Sequence, residues 1–186
     1  MAATVQILRK TGPSGSIVLD NITSINTRAN AEDTHTTAGT SNPIRVPTAG
    51  TNYSYWVSTR LRCTVTPSGT IDNIRWFTDG SNGFGTGVTC KGAKASTGAD
   101  AGYREATGTP GTTGTQLLQA NHSGLDEAPV DVFTFTSASP KSLSGTLTNP
   151  SSGEFGDHWI YQIEVGTTAG PGATAQETFT WRYDET

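Results

Sequence analysis

Residues that could carry out catalysis or bind a metal ion are few and scattered along this chain. The three histidines, His35, His122 and His158, lie in separate segments, and their spacing matches no metal-binding motif. Cys63 and Cys90 form no CxxC pair, whereas a zinc site needs three or four protein ligands. The sequence therefore predicts neither a bound metal ion nor a cofactor.

Adjacent carboxylates occur three times, in polar segments or at the terminus: Glu32–Asp33, Asp126–Glu127 and Asp184–Glu185. A glycosidase needs two carboxyl groups at a fixed separation across a groove, and solvated surface acids are the simpler interpretation. No GxSxG motif for a serine nucleophile is present, and the glycine-rich run 83–87 lacks the helix that phosphate binding requires. We therefore expect no enzymatic activity.

The two cysteines allow three interpretations. Two buried, reduced thiols are favoured, because free cysteine is among the most buried residue types and disulfides are rare in a cytoplasm. A disulfide between Cys63 and Cys90 formed later is the alternative. A catalytic thiol is least favoured, because no histidine lies near either cysteine in the sequence.

The composition favours β-structure. The 186 residues include 33 Thr, 16 Ser and 22 Gly, and only 15% are charged, against about 25% in an average globular domain. Threonine is β-branched and favours strands, whereas Met, Lys and Gln, which favour helices, are scarce. No stretch approaches the roughly 18 apolar residues of a transmembrane helix. The N-terminus lacks the pattern of a secretory signal peptide, so we expect synthesis in a cytoplasm.

Short apolar or alternating runs recur every ten to fifteen residues, with Gly, Pro, Asn and Asp clusters between them, which is typical of a sandwich or barrel. The sequence predicts an all-β fold, a single β-sandwich domain over residues 1–186, immunoglobulin-like or jelly-roll-like. The predicted core contains Val57, Leu61, Cys63, Trp76, Tyr161, Ile163 and Trp181. A terminal hairpin is predicted between 159–165 and 179–183, and an edge or extended linker at 42–47 because prolines flank it.

Residues 92–114 are rich in Gly, Thr and Ala, with Tyr103 as their one aromatic residue. Long loops in compact domains are usually functional or disordered. We interpret 92–114 as a long surface loop, with a protruding arm as one form that it could take.

Candidate interface residues follow from the strongest predicted strand, 53–66. Trp56, Arg60 and Arg62 alternate with its apolar residues and so share the opposite face. Tryptophan and arginine are enriched at protein interfaces. We predict a docking surface on Trp56, Arg60 and Arg62, extended by Arg75; simply solvated arginines are the alternative.

Four segments resemble small β-rich virion proteins of tailed bacteriophages: Asn42–Pro47, Tyr53–Cys63, Ile74–Gly80 and Glu177–Glu185. These patterns of strands and turns cover about a third of the chain. The resemblance implies a capsid decoration (cement) protein or a small head or tail component, without enzymatic activity. It supplies no functional residues.

We therefore expect a non-enzymatic virion structural protein on the capsid exterior, made in the host cytoplasm, that braces the major capsid subunits. A tail, neck or fibre component, with glycan binding at the host surface, is the alternative. The net charge of −4 makes nucleic acid a poor partner, and no membrane association is expected. Residues 126–186 hold nine acidic and two basic side chains, so a second possible docking surface is this acidic stretch facing a basic patch on the shell or on a neighbouring copy. We expect a homo-oligomer, with a trimer favoured over a dimer because trimers suit the shell positions that the resemblance implies.

Overall fold

The computed structural model describes residues 2–37, 41–95, 102–114 and 125–186. Within these ranges the regular structure is β-strand, apart from one 3-10 turn at Val132–Thr134. The strands are β1 (Thr4–Thr11), β2 (Val18–Asn21), β3 (Thr51–Tyr53), β4 (Val57–Val65), β5 (Thr70–Phe77), β6 (Val88–Ala95), β7 (Gly108–Thr109), β8 (Thr113–Gly114), β9 (Val130–Asp131), β10 (Lys141–Ser142), β11 (Leu147–Thr148), β12 (Gly153–Gly166) and β13 (Thr180–Glu185). No helix in the described ranges is long and apolar enough to cross a membrane.

The strands form two main antiparallel sheets. The large sheet has the order β2-β1-β4-β12-β6-β9, with β3 also paired to β12. In the small sheet, β5 pairs with β10 and β11 along one side and with β13 along the other. A short ribbon of β7 and β8 is separate from both sheets. The fold is the all-β sandwich that the alternating runs predict.

The main core lies between the two sheets. Alternation along β4 turns Val57, Leu61 and Cys63 inward, and β5 contributes Ile71, Ile74 and Trp76 from the opposite sheet. All predicted core residues belong to this layer. Six of them are buried, whereas Trp181 is partly buried and packs against the layer.

The predicted terminal hairpin is wrong. β12 lies in the large sheet and β13 in the small one, so the connection after Gly166 crosses the sandwich instead of turning back along the same sheet. The aromatic residues of the two strands still meet, because Tyr161 and Phe179 pack edge to face with ring centroids 5.0 Å apart.

The other face of the large sheet is also covered. Tyr55, Trp56, Ala95, Ala106 and Ile160 form a second buried apolar cluster there. Part of the cover comes from 102–114, which lies within the segment 92–114 that the sequence predicts to be a loop or arm. Residues 92–95 continue β6, and Tyr103 is buried with its hydroxyl donating to the Gly12 carbonyl at 2.6 Å, whereas residues 107–112 are exposed. Residues 96–101 lie outside the described ranges.

Candidate interaction surfaces

The predicted docking face of β4 is largely internal. Trp56 is 1% exposed because it belongs to the second apolar cluster, and Arg60 is 3% exposed. Arg62, two residues further along β4, is exposed. Alternation along β4 turns Leu61 and Cys63 into the main core and Arg60 and Arg62 to the other face, but it does not reveal the second layer, to which both Tyr55 and Trp56 belong.

Arg60 belongs to a buried ionic network. Its Nε donates to the Gly156 carbonyl at 2.9 Å, and its Nη1 lies 3.4 Å from Glu154 Oε2. Lys10 Nζ lies 2.5 Å from the same carboxylate oxygen and is fully buried. Charges removed from water need close partners, so this network joins β1, β4 and β12 through Glu154.

Arg75 lies on a different surface. It is on the outer side of β5 in the small sheet, where its neighbours across the strands are Ser142 and Arg182. The four predicted interface residues therefore do not form one patch: two are buried, and Arg62 and Arg75 are on separate sheets.

The most apolar exposed edge is β2, at the end of the large sheet. Val18 is 55% exposed and Leu19 42% exposed, and Ile25, in the turn that follows the strand, is 48% exposed. Residues 42–47, predicted to be an edge or an extended linker, form no strand. The exposure of Val18 and Leu19 could not be read from their sequence, because a short apolar pair looks the same in a central strand.

The β2 edge also presents unpaired backbone groups. Arg9 lies opposite Asp20 and Lys10 opposite Leu19, and the Ile22 amide donates to the Ile7 carbonyl. Because hydrogen-bonded pairs alternate in an antiparallel ladder, the Leu19 N–H and C=O point away from β1. No described residue bonds to these two groups. Such an edge is a template for an added strand.

Arg9 anchors the loop that follows β2. Its guanidinium is fully buried, and Nη1 donates to Thr27 Oγ1 at 2.7 Å and to the Arg28 carbonyl at 2.5 Å. Asp33 Oδ2 accepts from the Gly12 amide at 2.7 Å. These contacts tie residues 27–33 to the end of β1.

Ionisable groups near Arg9 respond mainly to burial. Desolvation raises the pKa of Asp33 and of Tyr103, and it lowers the pKa of His35. His35 Nδ1 is 3.1 Å from Thr27 Oγ1. The shifts have a structural cause, namely the burial of polar groups around the end of β1, where Asp33 accepts from the Gly12 N–H and Tyr103 donates to the Gly12 carbonyl.

The two histidines that the structure describes lie in different elements. His35 lies in this loop, His158 is buried within β12, and His122 lies outside the described ranges. Among the residues that the structure describes, no group of three or more His, Cys, Asp or Glu side chains is arranged to hold a metal ion.

Cys63 and Cys90 are both free and buried. Burial raises the pKa of each thiol, that of Cys90 most strongly, and Cys63 Sγ donates to the Val65 carbonyl at 2.9 Å. Cys63 lies six residues along β4 from Val57, which pairs with Tyr161 of β12. Cys90 pairs with Ile163, two residues beyond Tyr161 in the opposite direction, so the two cysteines are eight residues apart along the strands. At 3.3 Å per residue this is about 26 Å, far beyond the 4.4–6.8 Å between the Cα atoms of a disulfide.

A groove of about 260 Å³ lies between the loops at 84–88 and 170–174. Phe84, Val88 and Pro171 supply its apolar wall, and glycine, alanine and threonine supply the rest. Its lining contains no charged side chain and a single aromatic ring, whereas sugar-binding grooves usually stack ligands on exposed aromatic residues.

Comparison of the chain with protein-family models, with curated protein sequences and with solved structures gives no match in any of the three.

Proposed function

We propose that this chain is a non-enzymatic virion structural protein that binds the outside of a tailed-bacteriophage capsid and braces its major capsid subunits. The resemblance of four segments to small β-rich virion proteins suggests the class of protein. Three of these segments correspond to strands of the sandwich, because 53–63 overlaps β4, 74–80 overlaps β5 and 177–185 overlaps β13.

The observation that carries the proposal is the apolar edge at β2. Natural proteins protect edge strands by keeping them short or with charged side chains, especially lysine, with proline, bulges or a covering segment. β2 has the sequence Val-Leu-Asp-Asn: it is short and carries one charge, at Asp20, but it has two exposed aliphatic residues, no lysine and no proline. We propose that an extended segment of the major capsid protein pairs with this edge, since strand addition uses main-chain hydrogen bonds for affinity.

Docking at an edge suits a bracing role. A ligand that binds the assembled lattice more tightly than free subunits shifts the equilibrium toward the assembled shell. Each contact can be weak, because many identical sites on one shell act together.

The test is co-sedimentation of the purified protein with preassembled capsids and, separately, with dissociated capsid subunits. We expect binding to the assembled shells to be at least about tenfold tighter than to the subunits. Leu19→Lys should weaken shell binding by about tenfold or more, because an edge lysine opposes strand addition.

Val46→Lys is the matched control. Val46 is 40% exposed, close to the exposure of Leu19, but it lies outside the strands. We expect this variant to bind shells like the wild type. Absence of shell binding by the wild type would overturn the proposed function, and equal loss in both variants would overturn the assignment of the β2 edge.

A further inference from the structure

The outer face of the small sheet pairs like charges with like charges. In the register of β5 and β13, Arg75 lies directly opposite Arg182, and Asp72 lies directly opposite Asp184. All four side chains point away from the core, since they alternate with the inward residues of their strands. Like charges directly opposite each other destabilise a sheet, whereas opposite charges stabilise it.

Neighbouring groups do not neutralise these four charges. Among the described residues, none of the four takes part in an ion pair. Arg75 Nη1 donates to the Ile74 carbonyl at 3.1 Å, the Asp184 carboxylate accepts from Nδ2 of the Asn73 side chain, and the Arg182 guanidinium lies 5.7 Å from the Phe77 ring centroid. Both guanidinium groups therefore retain N–H donors that bond to no described residue.

The two pairs are arranged along the strand direction. Arg182 and Asp184 are two residues apart on β13, which separates the basic pair from the acidic pair by about 7 Å. An irregularity in the β5–β13 register falls between them and keeps both pairs on the outer face despite the unequal residue count on the two strands. The face thus has a positive half and a negative half of equal charge.

We propose that this face binds the same face of a second copy of the chain through a twofold axis. The axis is parallel to the two faces and lies between them. It is perpendicular to the strands and passes midway between the basic pair and the acidic pair. Each basic pair then lies over the acidic pair of the other copy, so both repulsive pairs become part of attractive contacts. A twofold interface must be self-complementary, and this charge pattern meets that requirement.

An unrelated acidic partner fits the face less well. It would satisfy the arginine pair but repel Asp72 and Asp184 on the same surface. Phe77 adds a partly buried aromatic ring beside Arg182, of the kind enriched at interfaces. The charge pattern favours a twofold dimer over the trimer expected from the sequence. This inference does not depend on the proposed function, since its test requires no capsid.

The experiment uses two charge-reversed proteins, R75D/R182D and D72R/D184R, in sedimentation velocity. We expect the wild type to dimerise and each reversed protein to weaken self-association by at least about tenfold, because each places like charges across the interface. An equimolar mixture of the two should restore dimers as the mixed species. Raising the salt concentration should weaken the wild-type dimer, since exposed charges are screened.

Two further proteins complete the test. R62D reverses an exposed arginine on the large sheet and should leave dimerisation unchanged. R75Q/R182Q removes charge without reversal and serves if the reversed proteins fail to fold, which circular dichroism reports; it should weaken the dimer and its salt dependence. A wild type that stays monomeric at its highest soluble concentration, or a mixture that restores no dimer, would overturn the inference.

Discussion

Trp76 of β5 and Trp159 of β12 pack against each other across the sandwich, with ring centroids 4.6 Å apart and an interplanar angle of 36°. Both are almost completely buried. Phe135 packs edge to face on both rings, and Phe179 packs on Trp76. This aromatic contact joins the two sheets at the centre of the core.

Replacing Trp76 or Trp159 with alanine should therefore destabilise the protein by about 3–5 kcal/mol, the usual cost of removing a buried large aromatic residue. Trp181→Ala should cost less, about 1–2 kcal/mol, because Trp181 is only partly buried and transfer energy scales with buried area. Urea unfolding measures the loss of unfolding free energy in each of the three variants and so gives their order. A larger loss for Trp181 than for Trp76 would contradict this description of the core.

Cys63 and Cys90 should behave as independent, protected thiols. Both are buried, and burial raises their pKa, so the reactive thiolate is scarce and shielded at neutral pH. A thiol reagent such as Ellman's should label neither residue quickly in the native protein and both in denaturant. Fast labelling of the native protein, or fewer than two thiols in denaturant, would be inconsistent with the structure.

Glu154→Gln should destabilise the protein by about 3 kcal/mol. The substitution removes the carboxylate shared by Lys10 and Arg60, and Glu154 retains some solvent contact, which places the cost at the lower end for a broken buried pair. Glu164→Gln on the same strand is the control. The Glu164 carboxylate accepts a hydrogen bond from a neutral donor, Thr89 Oγ1, and not from a charged side chain. Chemical denaturation measures the loss of unfolding free energy in each variant. Equal losses would show that the ionic contacts of Glu154 stabilise the protein no more than the neutral hydrogen bond of Glu164.

Glu185 should make stability depend on acidic pH. Its carboxylate accepts from the Ala3 amide at 2.9 Å and from the Ser68 amide at 3.0 Å, and these bonds lower its pKa. A carboxyl group whose pKa falls on folding stabilises the native state above its unfolded pKa, and this contribution disappears as the pH falls through the folded pKa. The difference in unfolding free energy between wild type and Glu185→Gln should therefore shrink toward low pH. A difference independent of pH would contradict the contacts of Glu185.

The sequence predicts the fold class and most of the core because period-two alternation directly records which side chains share a face. Val57, Leu61 and Cys63 were predictable for this reason. The buried location of Trp56 and Arg60 could not be predicted from the sequence, because residues more than 40 positions away, such as Ala106, cover that face. Segment 102–114 has no hydrophobic period that would indicate a covering role.

Strand partners were less predictable than strands. β12 and β13 are consecutive and rich in aromatic residues, which favours a hairpin, yet Tyr161 and Phe179 meet across the sandwich and not across a ladder. The like-charge pairs of the small sheet depend on the β5–β13 register, in particular on the irregularity next to Arg182. Residue order alone does not specify that register, so only Arg75 of the four charged residues was selected from sequence.

Copy number per virion, measured by quantitative mass spectrometry of purified particles against the major capsid protein, tests the central claim most directly. A capsid decoration protein occupies a site repeated over the whole shell, so we predict hundreds of copies, in a simple ratio to the major capsid protein. A number that corresponds to a single ring at the neck or tail, or absence from the particle, would contradict a role in bracing the shell.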